Sequence, residues 1–111
     1  PNYHYEDMMR LYEMYLKKDL KNPAVIIDAN HSNSNKQFKE QIRIVLEVLH
    51  SRQQSTDLHR FVKGVMIESY LVEGNQTIGH GHTHVYGQSI TDPCLGWEDS
   101  ERLIYEIAER V

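Results

Sequence analysis

Apolar residues recur along the chain at two different periods. Met8, Leu11, Tyr12, Tyr15 and Leu16 follow the i, i+3, i+4, i+7, i+8 spacing of a one-sided amphipathic helix, which predicts a helix over residues 4–19. Asn22-Pro23 ends it, because a proline pushes the residue before it out of helical conformation. Ala24 to Ile27 is an unbroken, largely branched apolar run, and it predicts a strand over 24–28 buried on both faces.

The Asn- and Ser-rich stretch "NHSNSNKQ" suits turns and helix caps, because these side chains bond to nearby backbone. A second helix follows on the spacing of Phe38, Ile42, Val45, Leu46 and Leu49, with Lys39, Glu40, Arg43 and Glu47 largely on the other side. "SRQQSTDLHR" reads as a polar connection, and "VKGVMI" as a second short strand over 62–68 ending at Glu68. Residues 70–89 are glycine-rich without helical period, which predicts a long loop with a hairpin at 76–87. After "GWEDSERL", where Glu98, Asp99 and Glu101 suit the positive end of a helix dipole, Leu103, Ile104, Ile107, Ala108 and Val111 give a last helix its apolar face.

The order helix, strand, helix, strand, long loop, helix places the chain in the α/β class, with parallel strands and right-handed crossovers. Two apolar strands alone leave both outer edges open. The chain therefore reads as part of something larger, and as one that self-associates through its exposed edges.

Composition narrows the function. A formal charge of −4 over 111 residues, without a dense Lys/Arg cluster, argues against nucleic acid as a partner. No apolar run approaches the ~20 residues of a membrane span, and no signal-peptide layout opens the chain, so the expectation is a cytoplasmic protein with no membrane partner. The single cysteine, Cys94, excludes an intrachain disulfide and a cysteine-only metal cluster, and reads as an inert, partly buried thiol. Gly-rich phosphate loops and nucleophile elbows are missing from the sequence.

Polar residues gather where the two apolar runs end. "DANHSNS" follows the first strand and "ESYLVEGNQ" closes the second, and groups at the carboxyl ends of parallel strands converge on one face. Asp28, His31, Glu68 and Glu73 are expected neighbours, with Asp92 of "SITDPC" reaching the same face. His31, Glu68 and Asp92 then offer nitrogen and oxygen donors for a divalent transition metal. The same residues also suit a site without metal, with Asp28 and Asp92 forming turns, His31 capping a helix and Glu68 solvated. Spacing leaves both readings open.

"GHGHTHVYG" poses a second choice. His80, His82 and His84 share one face if the segment is extended, yet glycines loosen the backbone and no fixed outer partners are in view. They read either as a ligand set or as surface histidines. His4, His50 and His59 lie in or beside polar segments and are expected at the surface.

In "VIIDANHSNSNKQFKEQ", "GVMIESYLVEGNQ" and "YGQSITDPCLGWEDSERLI", taken in this order, the chain resembles the carboxyl-terminal part of the type I 3-deoxy-D-arabino-heptulosonate 7-phosphate (DAHP) synthases. The resemblance covers essentially the whole chain and is weakest across 50–60 and 77–85. It implies a (β/α)8 TIM barrel of which this chain supplies roughly the last third, as a single segment over 1–111. Residues 4–19 would be the helix after the sixth strand, 24–28 the seventh strand and 62–68 the eighth, so the open edges would face the missing strands.

The resemblance also implies an activity, the condensation of phosphoenolpyruvate with erythrose 4-phosphate in the first step of the shikimate pathway towards aromatic amino acids. Carbon 3 of phosphoenolpyruvate would attack the sugar aldehyde, and water would add at carbon 2 before phosphate leaves. His31, Glu68 and Asp92 match three of the family's four ligands to a divalent metal ion (Mn, Fe, Co or Zn), with Asp28 and Asn30 as outer orienting groups. Glu73, Asn75 and Gln76 would shape the loop. The fourth ligand is a cysteine in the amino-terminal part, a role Cys94 does not take. The family's phosphate-holding "K-P-R-T" stretch is absent from these residues, so the segment alone is expected to be inactive. The alternative is a small stand-alone protein that binds metal or a partner without enzymatic activity. On the family pattern, His80, His82 and His84 decorate the loop that delivers Asp92 and are not ligands.

Overall fold

In a computed structural model the described residues are 1–79, 81 and 83–111. The first helix, α1, runs Tyr5–Lys17. At its start the Asp7 carboxylate accepts from the His4 N–H at 3.2 Å. It ends short of residue 19, because Asp19 takes a left-handed φ of 50° that no helix continues.

Strand β1, Val25–Asp28, pairs in parallel with β2, Val62–Met66, in the register Ile26 with Gly64, Ile27 with Val65 and Asp28 with Met66. Between them lie a single helical turn α2, His31–Ser34, the long helix α3, Glu40–Gln54, and a short helix α4, Thr56–Phe61. The polar connection expected over 51–60 is therefore helical. Ser51–Gln54 finish α3, and Ser55, extended at φ −140°, breaks the run and caps α4 by accepting from the Leu58 N–H at 3.2 Å. Only Leu58 and Phe61 carry apolar weight in this stretch, and both are fully buried. Two apolar residues one turn apart are too few to stand out as a periodic signal.

The core lies on one side of the two-stranded sheet, where Ile27 and Val62 meet Ile44, Val45 and Val48 of α3 and Leu58 and Phe61 of α4. Phe61 receives the edges of Tyr12 and Tyr15 at centroid distances of 5.3 and 5.1 Å, which fastens α1 to α4. Ile26, by contrast, is 67% exposed. Within these residues the strand is covered on one face only, by the helices, and among the described residues nothing covers the other.

Beyond β2, the strands β3, Val72–Asn75, and β4, Gln88–Ser89, pair in parallel. A hairpin at 76–87 is not formed, and among the described residues of that stretch there is no strand. The Gln76 amide closes the excursion instead, donating to Val85 O and accepting from Val85 N, both at 2.8 Å. Gly87 sits at φ 81°, and a Cβ there would lie 2.9 Å from Leu71. The last helix, α5, runs Trp97–Arg110 and packs through Leu103 and Ile107. Its apolar face is narrower than its sequence implies, since Ile104, Ala108 and Val111 are exposed.

Phe61 joins three elements. Phe61→Ala is expected to lower unfolding stability by about 3–5 kcal/mol, the usual cost of emptying a buried aromatic site, read from urea denaturation. A loss below ~1 kcal/mol would show that the α1–α4 seam closes over the cavity.

Candidate metal centre

The end of β1 builds the first half of the site. The Ala29 N–H continues the ladder to Met66 O at 2.9 Å, and the chain then turns sharply around Asp28. One Asp28 carboxylate oxygen accepts from the Asn30 N–H at 2.8 Å, the other faces His31 Nδ1 at 2.8 Å, and Asn33 Nδ2 donates to the Asp28 carbonyl at 2.7 Å. His31 adopts φ 47°, a left-handed conformation that costs a non-glycine residue about 1–2 kcal/mol. This conformation, held by Asp28, aims the imidazole back over the ends of the strands.

The second half comes from the segments after β2 and β4. Leu95 N donates to Glu68 O at 3.0 Å and Tyr70 N donates to Leu95 O at 2.8 Å, so the "SITDPCL" segment lies against the stretch that follows β2. Ser89 Oγ accepts from the Thr91 N–H at 3.1 Å, and Gly74 and Cys94 exchange backbone bonds, which fixes the turn that carries Asp92.

The result is a tight triad. His31 Nε2 stands 3.0 Å from Glu68 Oε1 and 3.4 Å from Asp92 Oδ2, and one ligand atom from each residue lies within 4.8 Å of the others. Ligands bound ~2.0–2.2 Å from an ion stand roughly 3–3.5 Å apart, so the spacing suits a small divalent cation. The outer atoms of the same side chains are engaged as well. Asp28 holds His31 Nδ1, Asn30 Nδ2 donates to Glu68 Oε2 at 3.1 Å, and Lys36 Nζ lies 3.4 Å from Asp92 Oδ1. Each donor thus presents one atom inward, as ligands oriented by a surrounding shell do.

Sequence reasoning brought Asp28, Asn30, His31, Glu68 and Asp92 to one place, and they meet there. Glu73 does not join them; it lies 3.6 Å from Lys39. Asn75 and Gln76 shape the loop, Asn75 by donating to Thr91 O at 2.8 Å. His84, His50 and His59 are exposed, while His80 and His82 lie outside the described residues. His4 departs from the surface expectation, being half-buried and 2.8 Å from Glu47. Cys94 is buried, and that burial raises its thiol pKa, in keeping with an inert group. Lys36 and Gln41 escaped the sequence reading. Gln41 had a signal, a glutamine standing between Phe38 and Val45 on the apolar stripe of α3.

Residues 1–104 match the model of the DAHP synthetase I family. The chain belongs to that family. It is 41% identical over 111 residues to a phospho-2-dehydro-3-deoxyheptonate aldolase of Haemophilus influenzae, covering 100% of this chain and 30% of that protein. It is 43% identical over 112 residues to the Phe-sensitive enzyme of that name from Escherichia coli K12, covering 100% and 31%. The solved phospho-2-dehydro-3-deoxyheptonate aldolase of Francisella tularensis superposes with a TM-score of 0.89 at 36% identity, again over 100% of this chain and 31% of that one. The chain thus spans about 30% of the length of the curated relatives it matches.

In this family member the His31 pKa is raised above 6.5, first by the hydrogen bond to Asp28 and then by the same carboxylate's charge, with burial opposing. Without metal, protonated His31 contributes stability below the unfolded value of 6.5, and the contribution is lost as pH rises through the folded value. A metal held at Nε2 would compete with that proton, so the sign would reverse for binding. Co2+ affinity is expected to fall about tenfold per pH unit below the raised His31 pKa and to level off above it, measured by calorimetric titration at a series of pH values. An affinity flat through this range would remove His31 from the ligand set.

Proposed function

We propose that this chain is the carboxyl-terminal portion of a (β/α)8-barrel DAHP synthase, in which β1 and β2 are the last two barrel strands. The proposed reaction condenses phosphoenolpyruvate with erythrose 4-phosphate to give DAHP and phosphate, in the cytoplasm, at the first step of aromatic amino-acid biosynthesis. His31, Glu68 and Asp92 hold a divalent metal ion, and a further ligand comes from outside these residues. The observation that carries this reading is the triad itself, with every outer atom tied, in a chain of this family. No helix among the described residues is long and apolar enough to cross a membrane.

When bound, a divalent ion supplies Lewis acidity to the aldehyde oxygen of the sugar phosphate. Asp28 holds His31 in the tautomer with the proton on Nδ1 and leaves Nε2 free to ligate. Asn30 orients the Glu68 carboxylate, and Lys36 offsets the negative charge of Asp92. The stretch that would hold two phosphorylated substrates is not among these residues, so the 111 residues alone are proposed to be inactive. The free sheet edges and exposed Ile26 support self-association.

Two experiments test the assignment. In Co2+ titration, His31→Ala is expected to lose at least about tenfold in affinity, while replacing His80, His82 and His84 together by Ala leaves it unchanged; the opposite pattern moves the site to the glycine-rich loop. Incubated with both substrates and Mn2+, the chain is expected to release no phosphate, and measurable turnover would overturn the proposed inactivity. Sedimentation should separately show assemblies larger than one chain, reduced by Ile26→Lys. A strictly monomeric wild type would exclude association through this sheet.

A further inference from the structure

Glu68 is gripped at its backbone by a side chain from a different element. Met66 is the last β2 residue with a partner in β1, and the Ala29 N–H bond to Met66 O is the last rung before that chain turns away. Two residues on, Glu68 N–H donates to Gln41 Oε1 at 2.8 Å, and Gln41 Nε2 donates to Glu68 O at 3.1 Å. The second Nε2 hydrogen goes to Phe38 O at 3.1 Å, so both hydrogens and the oxygen of the Gln41 amide, which has no exposed surface, are engaged. A primary amide offers an acceptor and a donor side by side, as a peptide group of a neighbouring strand does. Leu95 N fills the other lone pair of Glu68 O at 3.0 Å.

We propose that Gln41 is a positioning residue for the metal centre, standing in for the missing strand partner of Glu68 and setting the place of this ligand from α3. The proposal rests on the metal-centre reading above. Gln41 has no bond to the His31, Glu68 or Asp92 side-chain donor atoms, so it acts through the Glu68 backbone alone. Asn30, in turn held by Ser34 Oγ at 2.6 Å, fixes the same residue at its carboxylate. Backbone and side chain of Glu68 are thereby located separately, by α3 and by the turn that leads into α2.

Co2+ titration of the full chain tests this, with affinity and the visible d–d absorption as readouts. Gln41→Met keeps the volume and removes both bonds to Glu68 together with the one to Phe38 O, and is expected to cost about tenfold or more in affinity and to shift the absorption bands. Gln41→Glu keeps an acceptor for the Glu68 N–H, and its loss should be intermediate. Ile44→Ala, a buried change on the same helix, should lower the thermal midpoint without changing affinity. Wild-type affinity in both Gln41 variants, or an equal loss in Ile44→Ala, overturns the proposal. If Gln41→Met does not fold, Gln41→Glu against Ile44→Ala decides.

Glu68→Gln separates the two claims. Wild-type Co2+ binding by that variant sinks the metal-centre reading itself. The role of Gln41 is then read without metal, from hydrogen exchange of the Glu68 amide. Faster exchange at Glu68 in the Gln41 variants, with the Ile27 amide still protected, supports it, and unchanged Glu68 protection overturns it.

Discussion

The parallel pairing of β1 with β2 is the constraint on which the site depends. Parallel strands bring both carboxyl ends to the same side, and here the register places Asp28 beside Met66, two residues before Glu68. Shifting that register by one residue would turn Ile27 away from the helical core and carry Asp28 off the site together. Burial of Ile27 therefore guarantees, through the strand's alternation, the position of a carboxylate that makes no core contact of its own.

Around the triad, charge and geometry are handled separately. Three carboxylates crowd one imidazole, and Lys36 is the cation that reaches Asp92. At Glu68 geometry is kept by neutral groups, the amides of Asn30 and Gln41 and the hydroxyl of Ser34, while the Asp28 carboxylate orients His31. Neutral amides can orient a carboxylate without competing with a cation for its charge. The left-handed φ at His31 belongs to the same arrangement, since local strain is tolerated where surrounding bonds hold it.

The class of the fold was legible because α1, the two apolar runs and α5 carry strong periodic or continuous apolar signals. The convergence of His31, Glu68 and Asp92 was legible for a related reason, that the ends of parallel strands share a side. What escaped the sequence depended on long-range partners. Leu58 and Phe61 lie in a helix packed against α1 and α3, and among the described residues of 76–87 no strand forms, Gln76 bonding across the excursion with its side chain. Ile26 reads as core by composition, and within these residues the helices leave its face of the sheet uncovered.

The junction between α4 and β2 has a mechanical consequence. Phe61 is the last residue of the helix and Val62 the first of the strand, with no residue between them to absorb movement. Helix and strand turn directly into one another, with the tyrosines of α1 packed on Phe61 at the bend and Glu68 two residues past the strand's far end. The same five-residue strand therefore joins the aromatic seam at one end to the site at the other, with backbone bonds to β1 along it and to Gln41 just past it.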